Sequence, residues 1–206
     1  MPRRLLYVPI VHAEADLGDL AARAREATEK AQGPHAWARR QAIVNDFWLR
    51  LHAWAQSQPT WAGVHLYQDG LPVCGHELAI VSEVAAKGSP NHRLLRTLIE
   101  RGGVLMGTES PELLKRELDL ARAQLDRPPG QAVDPRHADR ARTLLERRDR
   151  FMADRIAATL PEAATGVLFI GAMHNVRRLV DPSIQVVDVT TPPPTNPAAS
   201  AIAAAR

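Results

Sequence analysis

His12 and His174 each stand just beyond an apolar run of strand length, one near each end of the chain. The first run is Leu5-Leu6-Tyr7-Val8-Pro9-Ile10-Val11 and the second is Val167-Leu168-Phe169-Ile170-Gly171-Ala172-Met173. Acids hold comparable places: Glu14 and Asp16 follow His12, Asp69 follows a candidate strand over 61–67, and Glu109 follows Val104-Leu105-Met106-Gly107. Imidazole nitrogens combined with two or three carboxylates suit Zn, Mn, Co or Fe(II). Such an ion would activate water or polarise a carbonyl or phosphoryl oxygen. The expected ligands are His12, His174 and Glu109, with carboxylate help from Asp69 or Glu14. One polar residue at a strand end needs no special reason, because the core stops there. The same coincidence at four strands favours a shared site.

A second group lies over 68–92. Asp69, His76, Asn91 and His92 are candidates for substrate binding, since two helix starts in this stretch offer free N–H groups to an anion. Glu14 or Glu83 is the candidate general base. His76 and Glu77 could equally do no more than open a helix. Cys74 is the only cysteine, which excludes an intramolecular disulfide and a cysteine-based zinc cluster. Its plain reading is a small buried hydrophobe, and a nucleophilic pair with His76 lacks a third group to orient it.

These residues share an edge only if the strands run parallel. Candidate strands at 4–11, 61–67, 104–107, 166–171 and 184–189 alternate with helical segments. Helices are expected over 16–30, 35–56 and 76–86, and then after Ser89-Pro90, Ser110-Pro111 and Asp134-Pro135. Each of these last three pairs a capping side chain with proline in the first turn. Over 35–56, Val44, Phe47, Trp48, Leu51, Trp54 and Ala55 recur at three- and four-residue spacing. Trp37, Trp48 and Trp54 in this helix read as packing residues rather than a ligand platform. Pro9 lacks a ladder donor and is expected at a bulge or a bend. The pattern predicts an α/β fold, a single domain over 1–190 with a mainly parallel central sheet flanked by helices. Residues 191–206, rich in proline and alanine, read as a mobile tail. In such sheets ligands bind beyond the carboxyl ends of the strands.

The chain has 206 residues, 45% of them hydrophobic, enough for a substantial core. No apolar run reaches the roughly 20 residues that span a bilayer, and the N-terminus makes a poor signal peptide. A cytoplasmic protein without a membrane partner is expected. The formal net charge is +3, and the arginines are interleaved with Asp and Glu along helical stretches. That describes solvated helix faces and argues against nucleic acid as the partner. The apolar helix over 35–56 could pack within the chain or support a homodimer.

Arg148-Asp149-Arg150-Phe151-Met152, followed by an apolar strand and Gly171-Ala172-Met173-His174, resembles the TraB/TIKI-like superfamily, which includes relatives of ChaN and erythromycin esterase. Its other Gly-x-x-His motif ends the first strand, where this chain has Pro9-Ile10-Val11-His12. The resemblance implies an α/β sheet with His12 and His174 at one edge, Glu109 or Asp69 in the acidic role, and Arg148 facing the site. Arg148 would stabilise an oxyanion or a substrate carboxylate. The resulting expectation is a metal-dependent hydrolase acting on a small ester, amide or phosphoester, or on a peptide. The alternative is a non-enzymatic protein that holds a small ligand, a nucleotide or haem in the same pocket.

Overall fold

The computed structural model describes residues 2–126 and 134–189. The expected loop at 127–130 and the tail at 191–206 lie outside them. The elements are β1 (Arg3–Ile10), a 3-10 segment (Glu14–Leu20), α1 (Ala21–Gln32), α2 (Ala36–Ser57), β2 (His65–Gln68), α3 (Glu77–Ala86), α4 (Pro90–Glu100), β3 (Val104–Met106), α5 (Pro111–Leu125), α6 (Pro135–Thr159), β4 (Thr165–Gly171) and β5 (Ile184–Asp188). The fold is α/β, and every pairing in its five-stranded sheet is parallel, in the order β3-β2-β4-β1-β5. No helix among the described residues is long and apolar enough to cross a membrane.

Two compact units emerge. The first comprises the residues up to Ile10, Ala62–Ile80 and Gly102–Val189, and so holds the whole sheet with α5 and α6. One sheet face is apolar: Leu5, Tyr7, Tyr67, Leu168 and Ile170 meet Met152, Ala153 and Ile156 of α6 and Leu160 just past its end. Spacings of three and four put these α6 residues on one stripe, and fully burying each large one contributes about 1.5–3 kcal/mol. Gly166 of β4 lies against this cluster. A Cβ there would meet Tyr67, Leu160 and Leu5 side chains at 3.1–3.2 Å.

Pro9 lies within β1 without a bulge, in register with Ile170 of β4. The Arg4 N–H bonds toward β4, at Ala164, and the Tyr7 carbonyl bonds toward β5, at Val189. Backbone groups alternate sides along a strand, so Pro9 faces the β5 side. The register with β5 ends at Tyr7–Asp188, two residues earlier. The missing N–H therefore removes no ladder bond.

The second unit contains Val11–Trp61 and Val81–Arg101. The helix expected over 16–30 is divided: a 3-10 segment carries Gly18 at φ 52°, ψ −130°, and regular α-helix begins only at Ala21. In α2, Trp37 and Trp48 are buried and their indole N–H groups bond to Glu14 and to the Val11 carbonyl. Both are packing residues. The strand expected over 61–67 starts later, at His65, because the chain turns at Gly63, whose φ is 74°. The serine caps form as expected: Ser89 accepts from the His92 N–H, and Ser110 from that of Leu113.

Candidate functional site

Asp69, Glu109 and His174 come together in the sheet-bearing unit. Each offers a ligand atom, and the three atoms lie within 4.8 Å of one another. Parallel pairing makes this possible, because β2, β3 and β4 all end at the same edge. Asp69 follows β2 directly, Glu109 lies three residues past β3, and His174 lies three past β4.

Local backbone fixes each carboxylate. Past Asp69 the chain turns at Gly70, at φ 80°, and the Gly70 N–H donates to Glu109 Oε1 at 2.8 Å. The Thr108 and Glu109 N–H groups both donate to the Leu71 carbonyl, and the Val73 N–H donates to that of Glu109. The 68–73 segment thus laces the end of β3 to the end of β2. Gly107 is required for this closeness, since a Cβ would lie 2.8 Å from Val73 Cα and 2.9 Å from the Pro72 carbonyl oxygen. On the other side, Asp69 Oδ2 accepts from the Gly171 N–H at 2.9 Å, which joins β2 to the turn that carries His174.

Arg148 and Asp149 arrive from α6. They continue the stripe of Met152, Ala153 and Ile156 toward the helix N-terminus, so both are buried although charged. Arg148 donates through Nε and Nη2 to the two Glu109 oxygens, each at 2.6 Å, and through Nη2 to Asp69 Oδ1 at 3.0 Å. Its Nη1 donates to Glu117 of α5. Asp149 accepts from the Asn175 N–H at 2.8 Å and lies 2.5 Å from His174 Nδ1. With Nδ1 bonded there, His174 Nε2 points toward Asp69 Oδ1, at 3.4 Å.

Burial and pairing compete in the titration of these groups. Burial by itself would lower His174, but the Asp149 and Asp69 carboxylates outweigh it and raise the imidazole to about 9. Burial raises Glu109, the Arg148 bonds oppose that, and the Asp69 charge adds to the rise. Burial opposes the charge on Arg148, yet Glu109 above all raises it, so the guanidinium stays protonated. In formal charge, Asp69, Glu109 and Asp149 face Arg148 alone when His174 is neutral. With His174 protonated, as its raised value makes it at neutral pH, the buried set is one positive charge short.

The other expected site residues are not among these three donors. His12 is exposed and is not one of the three converging donors, so the expected ligand set of His12, His174 and Glu109 is not the one that assembles. β1 ends at Ile10, and His12 falls in the second unit, which begins at Val11. Glu14, also in that unit, bonds to the Trp37 indole and to Arg25, which hold its carboxyl below the usual range. Glu83 is exposed and paired with Lys87 one helical turn on. Asn91 is buried, and His92 bonds to the Ser89 hydroxyl, which in turn donates to Asp16 at 2.5 Å; all of these lie in the second unit. His76 is exposed at the start of α3. Cys74 is exposed rather than buried. Its N–H and that of Gly75 donate to Glu77 Oε1, so this stretch forms a closed turn.

Asp149 and Glu117 were not among the expected residues. For Asp149 the signal existed: a charged pair, Arg148-Asp149, falls in phase with the buried stripe of its own helix. Glu117 gave none, since an exposed acid on a charged helix is ordinary. Comparison with protein families, with curated proteins and with solved structures gave no match. The TraB/TIKI-like resemblance rests on its motif residues alone.

Proposed function

We propose that the protein is a metal-dependent hydrolase whose centre is Asp69, Glu109 and His174. The observation that carries this reading is the convergence of two carboxylates on an imidazole already held from behind. A carboxylate on one ring nitrogen, leaving the other turned toward two further carboxylates, is the usual setting of a metal-ligating histidine. One imidazole and two carboxylates suit Zn, Mn, Co or Fe(II). Glu109 accepts from the Gly70 N–H and twice from Arg148, and its further contact is with the Asp69 carboxylate, which is the place a cation would take. When bound, the ion would supply a polarised water or substrate oxygen. Asp149 orients the imidazole, and Arg148 holds the two carboxylates side by side.

The experiment is elemental analysis of the purified chain, as isolated and after reconstitution with Zn, Mn, Co and Fe(II). About one ion per chain is expected in the wild type and in His12→Ala, and none in His174→Ala or Asp69→Ala. An ion retained by His174→Ala, or none bound by the wild type, refutes the reading. A metal-binding wild type is then assayed for hydrolysis of p-nitrophenyl esters and phosphates.

A second reading is favoured by the bidentate Arg148–Glu109 pair. In it the buried charges form a closed network that ties α6 to the sheet edge and binds no ion. Under that reading no reconstitution succeeds, and all the substitutions lower stability alone.

A further inference from the structure

We infer that Arg148 Nη1 anchors an anionic group of the substrate, a phosphate or carboxylate oxygen, and that Glu117 occupies this place until the anion displaces it. The inference rests on the hydrolytic reading above and names the substrate class for that site.

The three nitrogens of Arg148 are not equivalent. Nε and Nη2 are spent on Glu109 and Asp69, whose side chains are 0% and 4% exposed. Backbone N–H groups of Gly70 and Gly171 pin those same two carboxylates, so neither can leave without breaking the sheet edge. Nη1 reaches the opposite kind of partner. The Glu117 side chain, on the side of α5 that faces α6, is 47% exposed and makes no other hydrogen bond or ion pair among the described residues. With half its surface in solvent and no second partner to hold it, Glu117 is the partner most easily exchanged.

Exchange also balances electrically. An incoming anion replaces one carboxylate with another negative group, and the buried charges are left as they were. A guanidinium suits both phosphate and carboxylate oxygens. The group so held would lie one guanidinium width from Glu109 and Asp69. That is the right scale for a substrate anchored at one end and cleaved at the other.

The test uses the full chain, zinc-loaded and metal-free, with inorganic phosphate and acetate as probes in calorimetric titrations. Glu117→Ala removes the competitor, and Glu112→Ala removes an exposed acid elsewhere on the same helix. Glu117→Ala is expected to bind one of the two anions at least fivefold more tightly than the wild type and Glu112→Ala, and Glu117→Ala/Arg148→Lys to lose that gain. The anion with the larger gain distinguishes phosphate from carboxylate substrates. Equal affinities in all three proteins, or a gain that survives Arg148→Lys, overturns the inference. If the wild type takes up none of Zn, Mn, Co and Fe(II) but Glu117→Ala shows the gain in metal-free protein, the hydrolytic reading fails and the anion site stands. If zinc binds and the gain is absent, only the anion site fails.

Discussion

Replacing Arg148 with methionine tests how the buried charges hold one another. The substitution keeps most of the aliphatic bulk and removes two 2.6 Å bonds to Glu109 and one 3.0 Å bond to Asp69. Breaking a buried ion pair by removing one partner costs about 3–5 kcal/mol, because the other charge is left uncompensated. Glu109 has an escape, since it can take a proton. From its ordinary value of 4.5, protonation at pH 7 costs about 3 kcal/mol, and at pH 5 less than about 1 kcal/mol. The sign follows from linkage. Without Arg148 the folded-state pKa of Glu109 rises further, and a raised carboxyl destabilises the fold increasingly as pH climbs from the unfolded value toward the folded one. Arg148→Met should therefore lose about 3 kcal/mol at pH 7 and about 1 kcal/mol at pH 5. At roughly 2–4 °C per kcal/mol for a chain of this size, Tm falls by about 6–12 °C at pH 7. Urea unfolding at both pH values is the assay, and Arg148→Met/Glu109→Gln should recover at least half of the loss. A loss below about 1 kcal/mol at pH 7, or a loss that grows toward pH 5, refutes the reasoning.

His174 sets a second dependence on pH. Its folded value of about 9 lies above the ordinary 6.5, so its contribution is full below pH 6.5 and is lost as pH rises through 9. The difference is about 3 kcal/mol, and thermal melts of metal-free protein should show it between pH 6.5 and 9.5 and flatten in His174→Asn. Gly107→Ala forces a Cβ against the Val73 and Pro72 backbone. It should cost about 1–3 kcal/mol and weaken zinc binding, because Glu109 moves with that loop; unchanged calorimetric affinity would count against the role given to the loop. Ser89→Ala removes the α4 cap and the bond to Asp16, with an expected loss of about 1–2 kcal/mol in urea unfolding. Pro9→Ala should shift stability by no more than about 0.5 kcal/mol, since Pro9 faces no ladder partner.

The period of apolar residues, the Ser-Pro and Asp-Pro helix starts and the polar residues after each strand are local facts, and the sequence alone determined them. From them followed the α/β class, the parallel sheet, the extent of α2, and the choice of Asp69, Glu109 and His174 as candidates; Arg148 was singled out by the family resemblance. Local patterns do not carry strand order or side-chain partners. His12 and His174 look equivalent in sequence, each just past an apolar run, but only His174 is one of the three converging donors. Asp69 and Glu109 are forty residues apart, and only the pairing of β2 with β3, with Gly107 allowing the close approach, brings them onto one guanidinium. Tertiary structure alone decided that Asp149 stands behind His174 and that Glu117 meets Arg148. The reason is physical: burial and charge pairing act between residues distant in the chain, and what each acid or imidazole becomes depends on which of them the fold makes its neighbour.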